Sequence, residues 1–194
     1  MDSQSASIIV LSGGTSSRFG RDKALAILGT QTIIEYVLSN IPKEFEIIIV
    51  GQDPRVSGVN YKCTQEKPSS GGPVAAIASA LELCTSNVIG VLAMDMPFAL
   101  PHMLDLLKVM SPSDGAVMYV DSKAYKQPLA AIYQCTELEK AISLLPQING
   151  ASMRELISLM TVREILMSPD VEKSYIDVDT AHDLSIAVEY LRKL

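Results

Sequence analysis

The sequence predicts an α/β fold: a single domain, residues 1–194, with a doubly wound, mainly parallel, Rossmann-like sheet and helices on both faces. Short apolar runs of strand length alternate along the chain with amphipathic segments of helix length. Neither a linker nor a low-complexity tract nor a solenoid repeat interrupts this alternation. Strands separated by helices form βαβ units, which place successive strands parallel to one another.

The first half of the chain is predicted to contain four strands and two helices. Residues 7–11 are uncharged and mostly β-branched, which is typical of a strand buried on both faces. Thr32 is suited to cap the first helix and Pro42 to stop it. Pro73 is suited to the first turn of the second helix, where its missing N–H has no helical partner. The predicted strands are 7–11, 46–50, 59–63 and 87–94, and the predicted helices are 32–40 and 72–83.

The second half of the chain continues the pattern with shorter elements. Strands are predicted at 115–120, 129–133, 162–166 and 175–178, and helices at 101–110, 138–145, 153–160 and from Thr180 onwards. In a sheet of this kind, ligands bind beyond the carboxyl ends of the strands. Two features fall at that edge: a glycine-rich loop after the first strand, and Asp95 after the strand 87–94.

Composition and charge narrow the class of protein. A net charge of −6 argues against a nucleic-acid-binding surface, because phosphate backbones favour a positive excess. The three cysteines are irregularly spaced, so neither a disulfide framework nor a CxxC zinc site is indicated, and a reducing compartment fits best. The amino terminus lacks the features of a secretory signal, and no apolar run approaches the ~20 residues that span a bilayer. A cytoplasmic protein without membrane or nucleic-acid partners is therefore expected.

The segment after the first strand, residues 11–23, is suited to binding a triphosphate. Glycines let the backbone approach an anion closely, and successive N–H groups in such a turn form an anion-binding concavity. Hydroxyl groups add donors, while arginine supplies a forked donor set and lysine a mobile point charge. The residues concerned are Gly13 and Gly14, the hydroxyl-bearing Thr15, Ser16 and Ser17, and the cationic Arg18 and Lys23.

Two commoner glycine-rich motifs do not fit this loop. A P-loop would need glycine in place of Thr15 and lysine in place of Arg21. A dinucleotide fingerprint would need glycine at position 15 or 16, and neither position has it. A flexible surface loop is the alternative interpretation of the glycine and hydroxyl residues alone. The cationic residues and Gly20, directly after a buried strand, favour a nucleotide site.

Four motifs, in order along nearly the whole chain, resemble those of the molybdenum cofactor guanylyltransferases, whose nucleotidyltransferase fold matches the predicted one. They are Leu-Ser-Gly-Gly-x-Ser-x-Arg-Phe-Gly-x-Asp-Lys-Ala-Leu from Leu11, Gly-Pro-Val-Ala-Ala-Ile from Gly72, Met-Asp-Met-Pro-Phe from Met94, and Asp-Val-Asp-Thr-Ala-His-Asp-Leu from Asp177. The resemblance implies transfer of GMP from MgGTP to the terminal phosphate of molybdopterin-bound molybdenum. The products would be the guanine dinucleotide cofactor and pyrophosphate.

The resemblance also implies roles for individual residues. Arg18, Lys23 and Asp95 would be catalytic, with Lys23 gripping the phosphates and Asp95 binding Mg²⁺. Glu66 is the best equivalent of an acidic residue that the family often has ahead of its second motif. Nucleotide contacts are expected from Leu11, Ser12, Gly13, Gly14, Thr15, Ser16, Lys23, Glu66, Gly72, Pro73 and Asp95. The chain departs from the family at Ser12, Phe19 and Met94, where alanine, methionine and cysteine are usual, and at Asp177 and Asp179, where asparagine is common.

Asp95 and Asp179 are the candidate metal ligands. Mg²⁺ prefers one or two carboxylates together with phosphate oxygens and waters, and a carboxylate beyond a strand end meets that need. A turn or helix-capping role is the alternative for Asp95. Two interpretations of Asp179 are weighted equally. It is either a second metal ligand or a structural residue at the start of a helix, in which Thr180 is the cap and Asp183 lies near the capping-box position.

No activated nucleophile is suggested by the sequence, so direct in-line attack of the acceptor phosphate on the α-phosphorus is expected. The acceptor pocket is expected between residues 119 and 150, around Lys126 and Gln127. The partners implied are GTP, the molybdopterin cofactor and other proteins of cofactor biosynthesis or molybdoenzymes. Two alternatives stay open: a cytidylyl or sugar-phosphate nucleotidyltransferase of the same fold, and a nucleotide-binding adaptor that has lost catalysis.

Overall fold

The computed structural model describes residues 6–13 and 23–194, with the backbone alone at residue 23, and confirms the predicted fold class. Within these residues, seven strands form one sheet and two further strands form a hairpin. The strands are β1 (Ala6–Leu11), β2 (Ile27–Leu28), β3 (Gln31–Thr32), β4 (Glu46–Val50), β5 (Lys62–Thr64), β6 (Val88–Ala93), β7 (Ala116–Val120), β8 (Lys126–Gln134) and β9 (Val162–Leu166). The helices are α1 (Ile33–Asn40), α2 (Pro73–Leu81), α3 (Leu100–Asp105), α4 (Cys135–Ser143), α5 (Met153–Ser158), α6 (Pro169–Ser174) and α7 (Ala181–Leu191), with short 3₁₀ turns at Lys23–Leu25 and Leu106–Lys108.

The strand order in the large sheet is β5-β4-β1-β6-β8-β7-β9. Every neighbouring pair is parallel except those of β8, which runs antiparallel to both β6 and β7. Residues 121–125 are the whole connection between β7 and β8. So short a connection can close a hairpin but cannot hold the crossover helix that a parallel pair requires. The first residues of β8 therefore lie at the same edge of the sheet as the carboxyl ends of the parallel strands.

Hydrophobic side chains pack on both faces of the sheet. In β1, Ile8 and Val10 face one core and Ile9 the other, as the two-residue period of a strand requires. Helices α1, α3 and α7 cover the first face, and α2, α4 and α5 cover the second. This double burial explains why the central strands are uncharged runs in the sequence.

Two helices begin at the capping residues that the sequence predicts. Thr32 caps α1 and Thr180 caps α7, each in a reciprocal capping box with the residue three positions later. A third capping box, between Ser152 and Glu155, begins α5. In the described part of the chain, none of the helices is long and apolar enough to cross a membrane.

Four differences from the predicted elements need correction. Residues 175–178 do not form a strand: Val178 is fully buried, but its N–H donates only to the backbone oxygen of Asp95 beyond the end of β6. The alternation of apolar and polar residues there reflects burial of the segment without the hydrogen-bonding pattern of a strand. Helix α6 was not predicted, although Ser168 caps it and Pro169 occupies its first turn. The expected helix 101–110 is divided into α3 and a 3₁₀ turn, and the expected strand 59–63 shortens to β5.

At the amino end of the sheet, away from the strand ends that bind ligands in this fold, Glu46 joins three neighbouring strands. Its carboxylate accepts hydrogen bonds from Ser7 in β1, from Lys62 Nζ in β5 at 2.6 Å, and from the backbone N–H of Thr85 at 2.9 Å. Burial raises the pKa of Glu46, but the hydrogen bonds from Lys62, Ser7 and Thr85 outweigh it and lower that pKa from 4.5 to about 2. The folded state therefore stabilises the ionised form of the Glu46 carboxyl group.

Replacing Glu46 by glutamine is expected to lower the free energy of unfolding at pH 7 by about 1–3 kcal/mol, because Lys62 and the other donors lose a charged acceptor. The pKa in the folded state lies below that in the unfolded state, so this stabilisation is complete above about pH 4.5 and disappears as the pH falls towards 2. Urea unfolding at pH 7 and pH 3 measures both effects, and the difference between the wild type and Glu46→Gln should shrink at pH 3. Glu44→Gln, at an exposed neighbouring position, is the control. A constant difference at both pH values would contradict the prediction.

Candidate active site

A cleft of about 570 Å³ opens at the carboxyl ends of β1, β4 and β6, the edge at which ligands bind in doubly wound sheets. Its volume lies in the range of small-molecule sites. Five separate segments line it: the end of β1 with Gly13, the end of β4 with the turn after it, the loop between β5 and α2 with the start of α2, the end of β6 with Asp95, and Leu129 of β8. Of the predicted contacts, it brings together Leu11, Gly13, Glu66, Gly72, Pro73 and Asp95.

The floor of the cleft is held by hydrogen bonds between the strand ends. The N–H of Ser12 donates to the backbone oxygen of Val50 at 2.9 Å, and its hydroxyl donates to the same oxygen at 3.1 Å. The N–H of Met94 donates to the oxygen of Leu11 at 3.1 Å. Ser12, which was predicted to contact the nucleotide, does not line the cleft. Its side chain instead fixes the start of the glycine-rich loop against β4.

Gly51, the residue directly after β4, is required by this close approach. Its φ of +144° is rarely adopted by residues with a side chain, and a Cβ atom there would collide with the hydroxyl of Ser12. The N–H of Gly51 donates to the oxygen of Thr64 at 2.9 Å, which also ties the turn to β5. A side chain at position 51 would therefore push apart the loops that form one wall of the cleft.

Glu66 lies in the cleft on a loop that is fastened to α2. One carboxylate oxygen accepts a hydrogen bond from the N–H of Ser70 at 2.9 Å, and the N–H of Lys67 donates to Ser79 Oγ at 2.9 Å. Ser79 is buried in α2 and donates in turn to the oxygen of Ala75. The loop thus presents the Glu66 carboxylate from a fixed backbone, where it can accept hydrogen bonds from a ligand.

The first turn of α2 faces the same cleft. Gly72 is the residue before the helix, with φ of +87° and no side chain to cap the free N–H groups, and Pro73 occupies the first helical position as predicted. Unpaired N–H groups and the helix dipole make such a terminus favourable for an anion. The glycine also leaves the approach to these N–H groups open. This end of the cleft is suited to a phosphate group.

Asp95 lies two residues beyond the end of β6 and lines the cleft with a partly exposed side chain. Its backbone oxygen accepts the hydrogen bond from Val178 at 2.9 Å, which brings residues 177–179 alongside. Asp177 and Asp179 flank the buried Val178 and are exposed. The cap of α7 is the reciprocal pair of Thr180 and Asp183, and the backbone N–H of Asp179 donates to the Asp183 carboxylate at 3.2 Å.

The remaining predicted residues cannot be placed. Gly14, Thr15, Ser16 and Arg18 lie outside the described residues, as does the side chain of Lys23, so their roles stay predictions. Within residues 6–13 and 23–194, no group of three or more histidine, cysteine, aspartate or glutamate side chains is gathered as a metal site. Such a site is not needed for Mg²⁺, which usually keeps water and substrate phosphate oxygens among its ligands.

Several polar and apolar residues of the cleft were missed by sequence reasoning. Gln52 follows the turn at the end of β4, Gln65, Ser69 and Ser70 belong to the loop that carries Glu66, and Leu129 comes from β8. None of these residues belongs to a periodic pattern or to a motif of recognisable spacing. Only the neighbourhood of Glu66 gave a signal that the loop 65–70 would take part.

Comparison with known proteins agrees with this geometry. The MobA-like NTP transferase domain family matches residues 8–163 of the chain. A probable molybdenum cofactor guanylyltransferase of Carboxydothermus hydrogenoformans is 30% identical over 132 residues, which are 68% of this chain and 66% of that protein. One from Bacillus cereus is 29% identical over 187 residues, 90% of this chain and 92% of its own. In structure, molybdopterin-guanine dinucleotide biosynthesis protein A from Archaeoglobus fulgidus superposes with a TM-score of 0.73 at 22% identity, over 97% of this chain and 100% of its own.

Proposed function

The chain belongs to the MobA-like NTP transferase family and is a nucleotidyltransferase, and from this premise we propose that it transfers GMP from GTP to the terminal phosphate of molybdenum-bound molybdopterin. One observation carries the proposal: motifs separated by up to 84 positions (11 to 95) converge on one cleft at the carboxyl edge of the sheet. The names of the relatives support guanine as the base and molybdopterin as the acceptor.

In the proposed complex, the triphosphate lies across Gly13 and the first turn of α2. Both present backbone N–H groups without a side chain in the way, which suits phosphate oxygens. Lys23 and Arg18 add the positive charge expected from the sequence. Glu66 accepts hydrogen bonds from the nucleoside, either from ribose hydroxyls or from the N1–H and amino group of guanine. The neighbouring glutamine side chains of the cleft extend this polar wall.

The carboxylates at the strand end fit a magnesium ion. Asp95 supplies an oxygen ligand inside the cleft, and the segment joined to its backbone through Val178 carries the exposed Asp179. Oxygen donors of this kind, few in number and beside a phosphate site, are what Mg²⁺ selects. When bound, the ion neutralises negative charge on the phosphates. Asp95 and Asp179 are thus the proposed ligands.

The proposed reaction is a direct displacement. An oxygen of the acceptor phosphate forms a bond to the α-phosphorus of GTP, the bond from that phosphorus to the α,β-bridging oxygen breaks, and pyrophosphate leaves with its electron pair. The described lining of the cleft contains no cysteine, histidine or lysine that would act as a nucleophile. The chain's residues hold the phosphates in line and stabilise charge, and alignment of this kind supplies much of the catalysis in such reactions.

The proposal extends to the surroundings of the enzyme. The acceptor is labile, so we expect it to be transferred within a protein complex in the cytoplasm. The partners in that complex would be other cofactor-biosynthesis proteins or molybdoenzymes. The acidic net charge of −6 gives no support for nucleic acid as a further partner.

Isothermal titration calorimetry with GTP, CTP, ATP and UTP, each with and without Mg²⁺, tests the proposal. We expect Mg²⁺-dependent binding with at least about tenfold preference for GTP, which corresponds to about 1.4 kcal/mol. Preference for another base would overturn the guanylyl assignment. Absence of binding to all four would overturn the nucleotide site. Release of pyrophosphate from GTP when molybdopterin is added separates the enzyme from an inactive nucleotide-binding adaptor.

A further inference from the structure

A second cavity, of about 530 Å³, lies at the same edge of the sheet as the nucleotide cleft, between the start of β8 and helix α5. Tyr125, Lys126 and Pro128 line it from β8 and the turn before it, and Arg154 and Ile157 line it from α5. The loop that enters α5 touches the start of α2, because the N–H of Gly150 donates to the oxygen of Gly71 at 2.8 Å. The two cavities are therefore neighbours.

An irregularity in β8 forms the wall between the two cavities. Met118 of β7 pairs with Ala131 and Val120 with Lys126, so the single residue between them on β7 faces four residues on β8. In this bulge Pro128 faces the second cavity, while the next residue, Leu129, lines the nucleotide cleft. Strand bulges near active sites commonly redirect side chains in this way.

Tyr133 holds the bulge in place. Its hydroxyl donates to the backbone oxygen of Pro128 at 2.6 Å, and its side chain is completely buried against α4 and α5. Burial raises the pKa of Tyr133, so the hydroxyl stays protonated and acts as a donor. Without this hydrogen bond, the Pro128 oxygen would lose the partner that fixes the wall.

The second cavity combines positive charge with apolar and aromatic surface. Lys126 Nζ is paired with Glu164 Oε1 at 2.8 Å, whereas the guanidinium of Arg154 makes no hydrogen bond or ion pair with any residue that the structure describes. The helix that carries Arg154 is anchored, because its residues Leu156 and Ile157 are buried in the core, and the arginine side chain itself is exposed. The ring of Tyr125 is 66% exposed and can stack on a planar group. In a chain of net charge −6, an uncompensated arginine beside an exposed ring favours a planar, anionic ligand.

We propose that this second cavity is the acceptor subsite, which takes the heteroaromatic body of a phosphorylated acceptor while its phosphate reaches past the bulge to the nucleotide. The inference rests on the proposed function. It assigns Arg154 as a binding residue for an anionic group of the acceptor and Tyr133 as a positioning residue that fixes the wall between donor and acceptor. Of the acceptor contacts expected between residues 119 and 150, Lys126 lines this cavity, and the inference adds Arg154 of the facing helix α5.

The test compares Arg154→Ala with Arg192→Ala, a matched loss of one exposed arginine at the end of α7, on the opposite face of the sheet. The binding probe is a pterin that carries a phosphate monoester on its side chain, titrated by its own fluorescence in the presence of MgGTP. Arg154→Ala is expected to weaken probe binding about 10- to 100-fold, the cost of one charged hydrogen bond, and to leave the Kd for MgGTP within about twofold. Arg192→Ala should change neither. Wild-type affinity of Arg154→Ala for the probe would overturn the inference.

Tyr133→Phe separates positioning from folding, because it removes only the hydroxyl. We expect the acceptor KM to rise about three- to tenfold, with kcat and the Kd for MgGTP nearly unchanged. Equal losses in acceptor and nucleotide binding would show a general structural role and overturn the positioning role.

If wild-type protein binds no GTP, the proposed function fails. If it binds MgGTP and the probe but neither variant alters the acceptor constants, only the acceptor subsite fails.

Discussion

Asp95→Asn is expected to abolish the Mg²⁺-dependent part of GTP binding and to lower the turnover rate by at least about 10²–10³-fold. Asp95 is the carboxylate that lines the cleft beyond β6, and its backbone is fixed by the hydrogen bond from Val178. Asparagine keeps the shape of the side chain but removes the charge that a hard divalent cation requires. The loss should therefore reflect the metal rather than a change in packing. Calorimetry with MgGTP and a pyrophosphate-release assay measure the two effects.

The sign of the effect without metal makes this prediction specific. In EDTA, a carboxylate near the triphosphate repels it, so Asp95→Asn is expected to bind GTP at least as well as the wild type. Asp170→Asn, at an exposed position in α6, is the control for loss of one negative charge and should behave as wild type in both conditions. Unchanged Mg²⁺-dependent binding in Asp95→Asn would place the metal elsewhere. Weaker binding in EDTA would indicate that Asp95 acts on the nucleotide directly.

The central strands could be predicted from the sequence because they are buried on both faces. Predicted strand 46–50 matches β4 in full, and 7–11 falls one residue short of β1. Helix starts were predicted where a side chain supplies a cap, as at Thr32 and Thr180. In both cases the signal is local, so no knowledge of the neighbouring elements was needed.

The errors occurred where tertiary contacts decide the conformation. Residues 175–178 carry the composition of a strand, but the chain passes beside the end of β6 and makes one backbone hydrogen bond there instead of a ladder. β8 extends three residues before the predicted start, because its bulge brings Lys126 back into register with Val120. No local pattern shows that a strand will resume beyond a bulge.

The residues of the candidate site also fall into those that a local motif predicts and those that only tertiary contacts bring into place. Leu11, Gly13, Gly72 and Asp95 were predicted because each belongs to a motif, and Glu66 was predicted as an acidic residue ahead of the second motif; all five line one cleft. Gly51, Gln52 and Leu129 were not predicted, since their place depends on how neighbouring strands approach. Ser12 shows the limit of a motif: its hydroxyl donates to the backbone oxygen of Val50, and the residue does not line the cleft.

Lys23→Ala is the second substitution with a large expected effect, a fall of about 10²–10³-fold in turnover. The described residues that line the cleft include the carboxylates of Glu66 and Asp95 and no lysine or arginine. A triphosphate therefore needs positive charge from the part of the glycine-rich segment that the family motif assigns to phosphate contact. Lys23 begins a 3₁₀ turn that packs against α1, so its backbone is anchored at the end of that segment. Steady-state kinetics at saturating MgGTP measures the loss.

Lys23→Arg and Lys43→Ala are the matched variants. Arginine keeps the charge but not the compact ammonium group, so it should retain part of the activity, and Lys43, exposed in the turn between α1 and β4, should be replaceable without effect. In EDTA, the Lys23→Ala variant is expected to bind GTP several-fold more weakly than the wild type, because a charge that attracts the phosphates is gone. Asp95→Asn should not weaken binding there, so the two variants act with opposite sign on metal-free nucleotide. A wild-type rate for Lys23→Ala would remove this residue from the active site and leave Arg18 to supply the charge that the phosphates require.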